Sequence, residues 1–338
     1  MKSRSRRLFS LLVALLLLLL LGAAPRGAMA AEKLVGIYSA QVMSQSLPAV
    51  AEAAGLFRKH GIDFHLVYIS SSGMVTAAML SGDAEISLTG GVGNVRAYVQ
   101  GATDLVFIGA VKNVMTQSLM GRPEIKKPEE LKGKKVGVTR IGSNTHYFAV
   151  QALRRFGLDP GRDVTFIQTG GEPQALAALT SGSVDAISVT APTDAKAVAL
   201  GYPFVVYGPD LRIPYTATAF VGRRSVIAKR PQVIGQFMRA MAEALKIMHM
   251  DREFTYKVLA KEFRVKERSV LDAAYNAEIK ALETKLAIKP EALQAILDEV
   301  APVDPRAKNV KPQDLIDSRY LEEMAKSGFF DQIWAGKK

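Results

Sequence analysis

The 338-residue chain contains no cysteine. That excludes disulfides, thiolate metal sites and thiol nucleophiles. It also excludes a lipid-modified N-terminal cysteine. Histidine is scarce, with four in all and no two spaced like a metal pair, so neither a metal nor a cofactor is expected. No serine-nucleophile elbow, zinc motif or phosphate-binding lysine loop occurs. No stretch combines clustered Lys and Arg with stacking aromatics, which argues against a nucleic-acid partner. With 49% hydrophobic and 22% charged residues, disorder is not the dominant state.

What is present begins with a leader. Lys2, Arg4, Arg6 and Arg7 form a basic start, Leu8 to Leu21 is a leucine-rich run, and Ala28-Met29-Ala30 offers small residues for cleavage. The run falls short of the ~20 residues that span a bilayer, so residues 1–30 read as a secretory signal peptide. Ser5-Arg6-Arg7-Leu8-Phe9 also resembles a twin-arginine motif, and the export route stays open between that and the general one. Cleavage removes five positive charges and no acids, taking the formal charge from +12 to about +7. A periplasmic location is expected, with no stable membrane insertion afterwards.

Strand-like and helical patterns then alternate, which implies α/β architecture with parallel sheets. Strands are expected at 34–39, 64–69, 85–89 and 105–111. Helices are expected at 45–60, 73–80 and 92–100. The series restarts with strands at 136–139, 164–168, 186–189 and 204–207, and with helices at 144–156 and 174–179. The two series match at an offset near 100: Ala77-Ala78-Met79 with Ala177-Ala178-Leu179, Ser81-Gly82 with Ser181-Gly182, Glu85 with Asp185. A duplicated unit suggests two lobes around a cleft. From Gln232 onward the pattern is helical, and this tail is expected to pack outside one lobe and do no chemistry.

Ligands of open parallel sheets bind beyond the carboxyl ends of the strands. The residues there are Ser39 and Gln41; Ser71, Ser72 and Gly73; Thr89 and Gly90; Gly142, Ser143, Asn144 and Thr145; and Thr190. Such residues cap helices, and the same geometry binds anions; both roles stay open. Asn113 is a candidate to reach the cleft and Tyr215 to supply an aromatic face. Arg140 and Glu172 are placed at the rim with Asp194 nearby, leaving a pocket of mainly neutral donors. His146 has no acid at a fixed local spacing and reads as structural.

Leu47-Pro48-Ala49-Val50-Ala51-Glu52-Ala53-Ala54-Gly55-Leu56-Phe57-Arg58-Lys59-His60-Gly61-Ile62-Asp63 resembles the opening of periplasmic substrate-binding proteins of the nitrate/sulfonate/taurine class, the family that includes thiamine-precursor-binding relatives. Ser81 to Ile86, Pro128 to Val138 and Ser181 to Ala186 resemble further family segments. The resemblance implies a two-lobed type II binding-protein fold with a helical C-terminal extension on one lobe. It implies crossovers near 113–119 and 215–222, hence lobe I at 31–115 plus 216–338 and lobe II at 116–215. The family's ligand turns fall on Ser39 to Gln41, Ser71 to Gly73, Thr89 to Gly90, Gly142 to Thr145 and Thr190. The cysteine-rich motif of pyrimidine-synthesising relatives is absent. A monomeric, non-enzymatic solute-binding protein that docks transiently on an ABC permease and its ATPase is therefore expected. Alternatives are a sensor's binding component or a periplasmic small-molecule enzyme on the same fold. Family members bind very different compounds, so the ligand stays open.

Overall fold

The structure, a computed structural model, describes residues 31–335. The expected signal peptide lies outside the described residues. Among them, no helix is long and apolar enough to cross a membrane.

The first half runs β1 (Glu32–Tyr38), α1 (Leu47–Ala53), α2 (Leu56–Lys59), β2 (Ile62–Tyr68), α3 (Ser72–Ser81), β3 (Ile86–Thr89), α4 (Gly91–Val99) and β4 (Leu105–Val114). The second runs β5 (Ser118–Gly121), β6 (Lys134–Val138), α5 (Asn144–Arg155), β7 (Val164–Gln168), α6 (Glu172–Thr180), β8 (Ala186–Val189), α7 (Thr193–Ala199) and β9 (Phe204–Val206). The chain then returns through β10 (Pro214–Arg223). After it come α8 (Arg224–Lys229), α9 (Pro231–Met250), α10 (Arg252–Phe263), α11 (Arg268–Glu278), α12 (Pro290–Val300), α13 (Arg319–Lys326) and α14 (Phe329–Trp334).

Two five-stranded sheets result, ordered β2-β1-β3-β10-β4 and β7-β6-β8-β5-β9. In each, three strands run parallel and the fourth in order is antiparallel to both its neighbours. The registers bear out the internal repeat. Gly36 pairs with Leu66 and Ile86, and Val136 with Phe166 and Ala186. The acids repeat too: Glu85 Oε2 accepts from Val35 N–H at 3.1 Å, and Asp185 Oδ2 accepts from Lys135 N–H at 2.8 Å. Each carboxylate accepts from the central strand of its parallel trio, one residue before that strand begins to pair with the strand that follows the acid.

Three expectations need correction. The helix expected over 45–60 is broken by Gly55, whose φ of +70° suits glycine and splits it into α1 and α2. The segment 215–222, expected as a crossover, is most of β10, buried between β3 and β4; its Thr and Val content suits a strand. The short strand β5 went unforeseen. Its four buried residues are too few to show a period.

The tail supplies much of the first lobe's core. Phe237 of α9 lies fully buried against Phe57, Phe64 and Phe220, with ring centroids 6.1, 5.1 and 5.6 Å away. Burying one such ring contributes about 1.5–3 kcal/mol. α12 packs instead on α4 and β10, placing Leu293, Ile296 and Leu297 in a core that also holds residues of the second lobe, such as Phe148. The second lobe keeps a smaller core of its own around Leu179 and Ile187.

Candidate functional site

The carboxyl ends of β1, β2, β6 and β8 converge on one cavity of about 60 Å³, lined from both lobes. That is room for several waters or one small solute. Two helix starts face each other there. Asn144 N–H at the start of α5 donates to Ser72 Oγ at the start of α3, at 3.2 Å. Alongside, Ser70 Oγ donates to the Gly170 carbonyl at 2.9 Å. The lobes are thus in hydrogen-bonding contact across the cleft.

The α5 start completes itself. Ser143 caps it, accepting from His146 N–H, while Thr139, Ser143 and Thr145 join hydroxyls at 2.9–3.0 Å. The α3 start does not. Ser71 sits at φ +80°, ψ +130°, a region that disfavours side chains. Its hydroxyl lines the cavity, is buried, and has no hydrogen-bond partner among the described residues. A buried hydroxyl without a partner costs about 1–3 kcal/mol.

Charge also reaches the cavity. Lys112 of β4 lines it, is buried, and donates to Thr116 Oγ1 at 2.6 Å and to Glu278 of α11. Glu278, fully buried, also accepts from Ser44 N–H at 2.6 Å. From the second lobe come Lys196 and Glu172. Both Glu172 oxygens accept from Thr190, its N–H at 2.9 Å and its hydroxyl at 3.1 Å. Burial nonetheless pushes the Glu172 carboxyl up to about 7, against those two hydrogen bonds. Phe263 and Tyr68 give apolar wall.

A family model described as NMT1/THI5 like matches residues 47–253. The chain belongs to the NMT1/THI5-like family. It is 29% identical over 203 residues to the taurine-binding periplasmic protein of Escherichia coli K12, an alignment covering 58% of this chain and 61% of that relative. The alkanesulfonate-binding protein SsuA of Xanthomonas axonopodis pv. citri, solved with MOPS bound, superposes with a TM-score of 0.70 at 20% identity. That match covers 84% of this chain and 96% of that one. The desulfurization enzyme DSZB superposes at 0.68 with 15% identity, over 88% and 99%. The two-lobed fold is common to binding proteins and at least one enzyme.

Within this NMT1/THI5-like chain, Ser39, Gln41, Ser71, Ser72, Asn144, Thr145 and Thr190 line the cavity. Ser39 does so with its N–H already taken: Gln45 Oε1 accepts from Ser39 and Ala40 N–H at 2.8 and 2.9 Å. The remaining expected residues lie elsewhere. Gly73 is in the first turn of α3, behind Ser72. Thr89 is sealed inside the sheet at the end of β3. Gly90 meets Asn144 rather than a ligand, since a Cβ there would lie 2.0 Å from its carboxamide. Asn113 faces the tail, donating to the Ala287 carbonyl at 2.8 Å and accepting from Lys289 N–H. Gly142, at φ +81°, shapes the turn beside Arg96, and Ser143 is occupied as a cap.

Tyr215 offers no exposed face. It is fully buried, accepts from Val92 N–H at 3.0 Å and donates to Asn144 Oδ1 at 2.5 Å, so it positions Asn144. Arg140, expected at the rim, is outside the cavity lining and exposed against Met74. His146 is outside the cavity lining, edge-on to Phe166, and burial holds it down to about 4.

The expectation that the tail packs outside one lobe is corrected by Phe263, which lines the cavity, and by Glu278, which holds Lys112 there. So is the expectation of a pocket almost without charge. Lys112 could have been suspected, because it interrupts the apolar run of β4. Nothing local signals that Glu278, 166 positions on, is its partner.

Proposed function

We propose that this chain captures a small organic anion or zwitterion, of the sulfonate kind, in the interlobe cleft and hands it to an ABC importer. The lobes are 31–115 with 216–338, and 116–215, closing by hinge motion. The working form is a periplasmic monomer freed from its leader, docking transiently on a permease and its ATPase, without catalysis of its own.

One observation carries this reading. Two helix starts converge on one polar cavity, one of them with a buried hydroxyl left open. Helix N-termini favour anionic groups through free N–H donors and the dipole. Lys196 adds positive charge, Lys112 a donor already paired with Glu278, and Glu172 an acceptor for an amine, so a zwitterion meets both signs. The binding roles named for the taurine and alkanesulfonate relatives agree with this chemistry. Glu172, the carboxylate in the lining, has both oxygens engaged by Thr190, and His146 lies outside the lining, which favours binding over bond breaking.

The test is a thermal-shift and calorimetry series on the purified protein with taurine, ethanesulfonate, sulfate, nitrate and benzoate. Saturable binding of a sulfonate is expected, adding about 2.7 kcal/mol of stability at a hundred times its Kd. Asn144→Ala should remove it. Binding that survives Asn144→Ala, or a response to none of the panel, would contradict the reading. Turnover of any bound compound would favour an enzyme instead.

A further inference from the structure

α7 has two working faces. One carries Thr193 and Lys196 into the cleft. The other, with Asp194, Ala195, Val198 and Ala199, borders a separate groove of about 650 Å³, closed on its far side by α11 through Val270, Ala273 and Ala277. Phe204 and Tyr207 form one end, edge to face at 5.1 Å. The volume is that of a small-molecule site, and the wall is mostly apolar.

Ser269 and Asn276 are polar, and Asp194 is the one carboxylate in the wall. It is 3% exposed, lines the groove, and has no Lys, Arg or His within ion-pair distance among the described residues. Its Oδ1 accepts from the neighbouring Ala195 N–H, at 2.6 Å. The titratable groups that act on it and its surroundings are Glu172, Tyr207 and Glu278, the last of which is already paired with Lys112. Burial pushes its carboxyl up to about 7. A buried carboxylate without a counter-ion is costly, and an ammonium entering the groove would supply the missing charge. The faces of Phe204 and Tyr207 suit the same ion, since aromatic faces attract cations.

We propose that the groove between α7 and α11 is a second ligand site, for a small apolar monoamine whose ammonium group pairs with Asp194. The amine's hydrocarbon body rests on Val198, Val270 and Ala273. The site is distinct from the cleft because α7 stands between them. Its two walls belong to the second lobe and to the tail, so its occupant bridges them.

The experiment titrates phenethylammonium, 2-phenylethanol and phenylacetate into the purified full chain, read by ligand-observed NMR and calorimetry. Phenethylammonium should bind saturably, with 2-phenylethanol at least about tenfold weaker and phenylacetate weaker still. Asp194→Asn, which keeps shape and removes charge, should weaken the amine by about tenfold or more. Ala273→Leu, which fills the groove, should weaken the amine and 2-phenylethanol alike. Asn144→Ala should leave amine binding as it is. No saturable amine binding, equal affinity for phenylacetate, or an affinity untouched by Asp194→Asn or Ala273→Leu would overturn the proposal. Should a variant fail to fold, the order of the three probes on the unaltered chain decides alone.

Discussion

The two helix starts that meet across the cleft are built from similar residues, serine with glycine and serine with asparagine, yet they are finished differently. At α5, Ser143 caps the helix and Thr139 and Thr145 share its hydroxyl, so these three hydroxyls have partners within the turn while the Asn144 N–H reaches Ser72 across the cleft. At α3, Ser71 keeps a disfavoured backbone and a buried hydroxyl with no partner. A self-completed start is scaffold. Strain together with an open donor is what a binding site retains, because only a ligand would complete it.

The largest expected effect tests whether the two starts must meet at all. Gly90→Ala puts a methyl group where Asn144 sits, 2.0 Å from its carboxamide. The lobes should then be held apart, and sulfonate affinity should fall by about a hundredfold in calorimetry. Unchanged affinity would mean that contact is dispensable. Next, Tyr215→Phe removes the bond that orients Asn144 and strands the buried Val92 N–H. Chemical denaturation should show a loss of about 1–3 kcal/mol.

The serines themselves sharpen the contrast. Ser143→Ala should cost about 1 kcal/mol of stability, the usual worth of a cap, and leave ligand affinity nearly intact. Ser71→Gly should do the reverse, gaining up to about 1 kcal/mol by relieving the backbone while weakening the ligand about tenfold. Matching behaviour of the two variants would erase the distinction between scaffold and site.

The smallest effect is a pH slope. Asp194 and Glu172 are pushed up to about 7 by burial, whereas unfolded carboxylates titrate near pH 4. Between about pH 4 and 7 the folded chain therefore holds more protons than the unfolded one, and stability falls as pH rises. His146, held down to about 4, acts in the opposite sense over the same range. Melting curves of Asp194→Asn against the unaltered chain should show a shallower fall, isolating the carboxylate.

How much of this was legible in the sequence follows from how local each signal is. The strands and helices of both repeats were visible as periodic apolar patterns, and the offset of 100 survives in the registers themselves. Gly55 was hidden inside a good helical period, because a period does not report backbone handedness. β10 was misread because its place between β3 and β4 depends on a return of the chain from more than 100 residues away.

At the site, reading past the strand ends located Ser71, Ser72, Asn144, Thr145 and Thr190. It could not separate donors facing the cavity from those already spent. Ser143 is used as a cap, the Ser39 N–H is met by Gln45, and Asn113 anchors the tail. Lys112 with Glu278, and Phe263, depend on the tail folding back, which no motif near them announces.

The most direct measurement is the distance between the lobes. The lack of native cysteine lets spin labels be placed at Leu80→Cys on α3 and Thr180→Cys on α6 alone, two exposed positions on opposite lobes. Adding taurine, with ethanesulfonate as its amine-free counterpart, should collapse the pulsed-EPR distance distribution to one short, narrow population, and Gly90→Ala should prevent it. A distribution that stays the same while calorimetry records saturated binding would show that the ligand sits elsewhere than between the two helix starts.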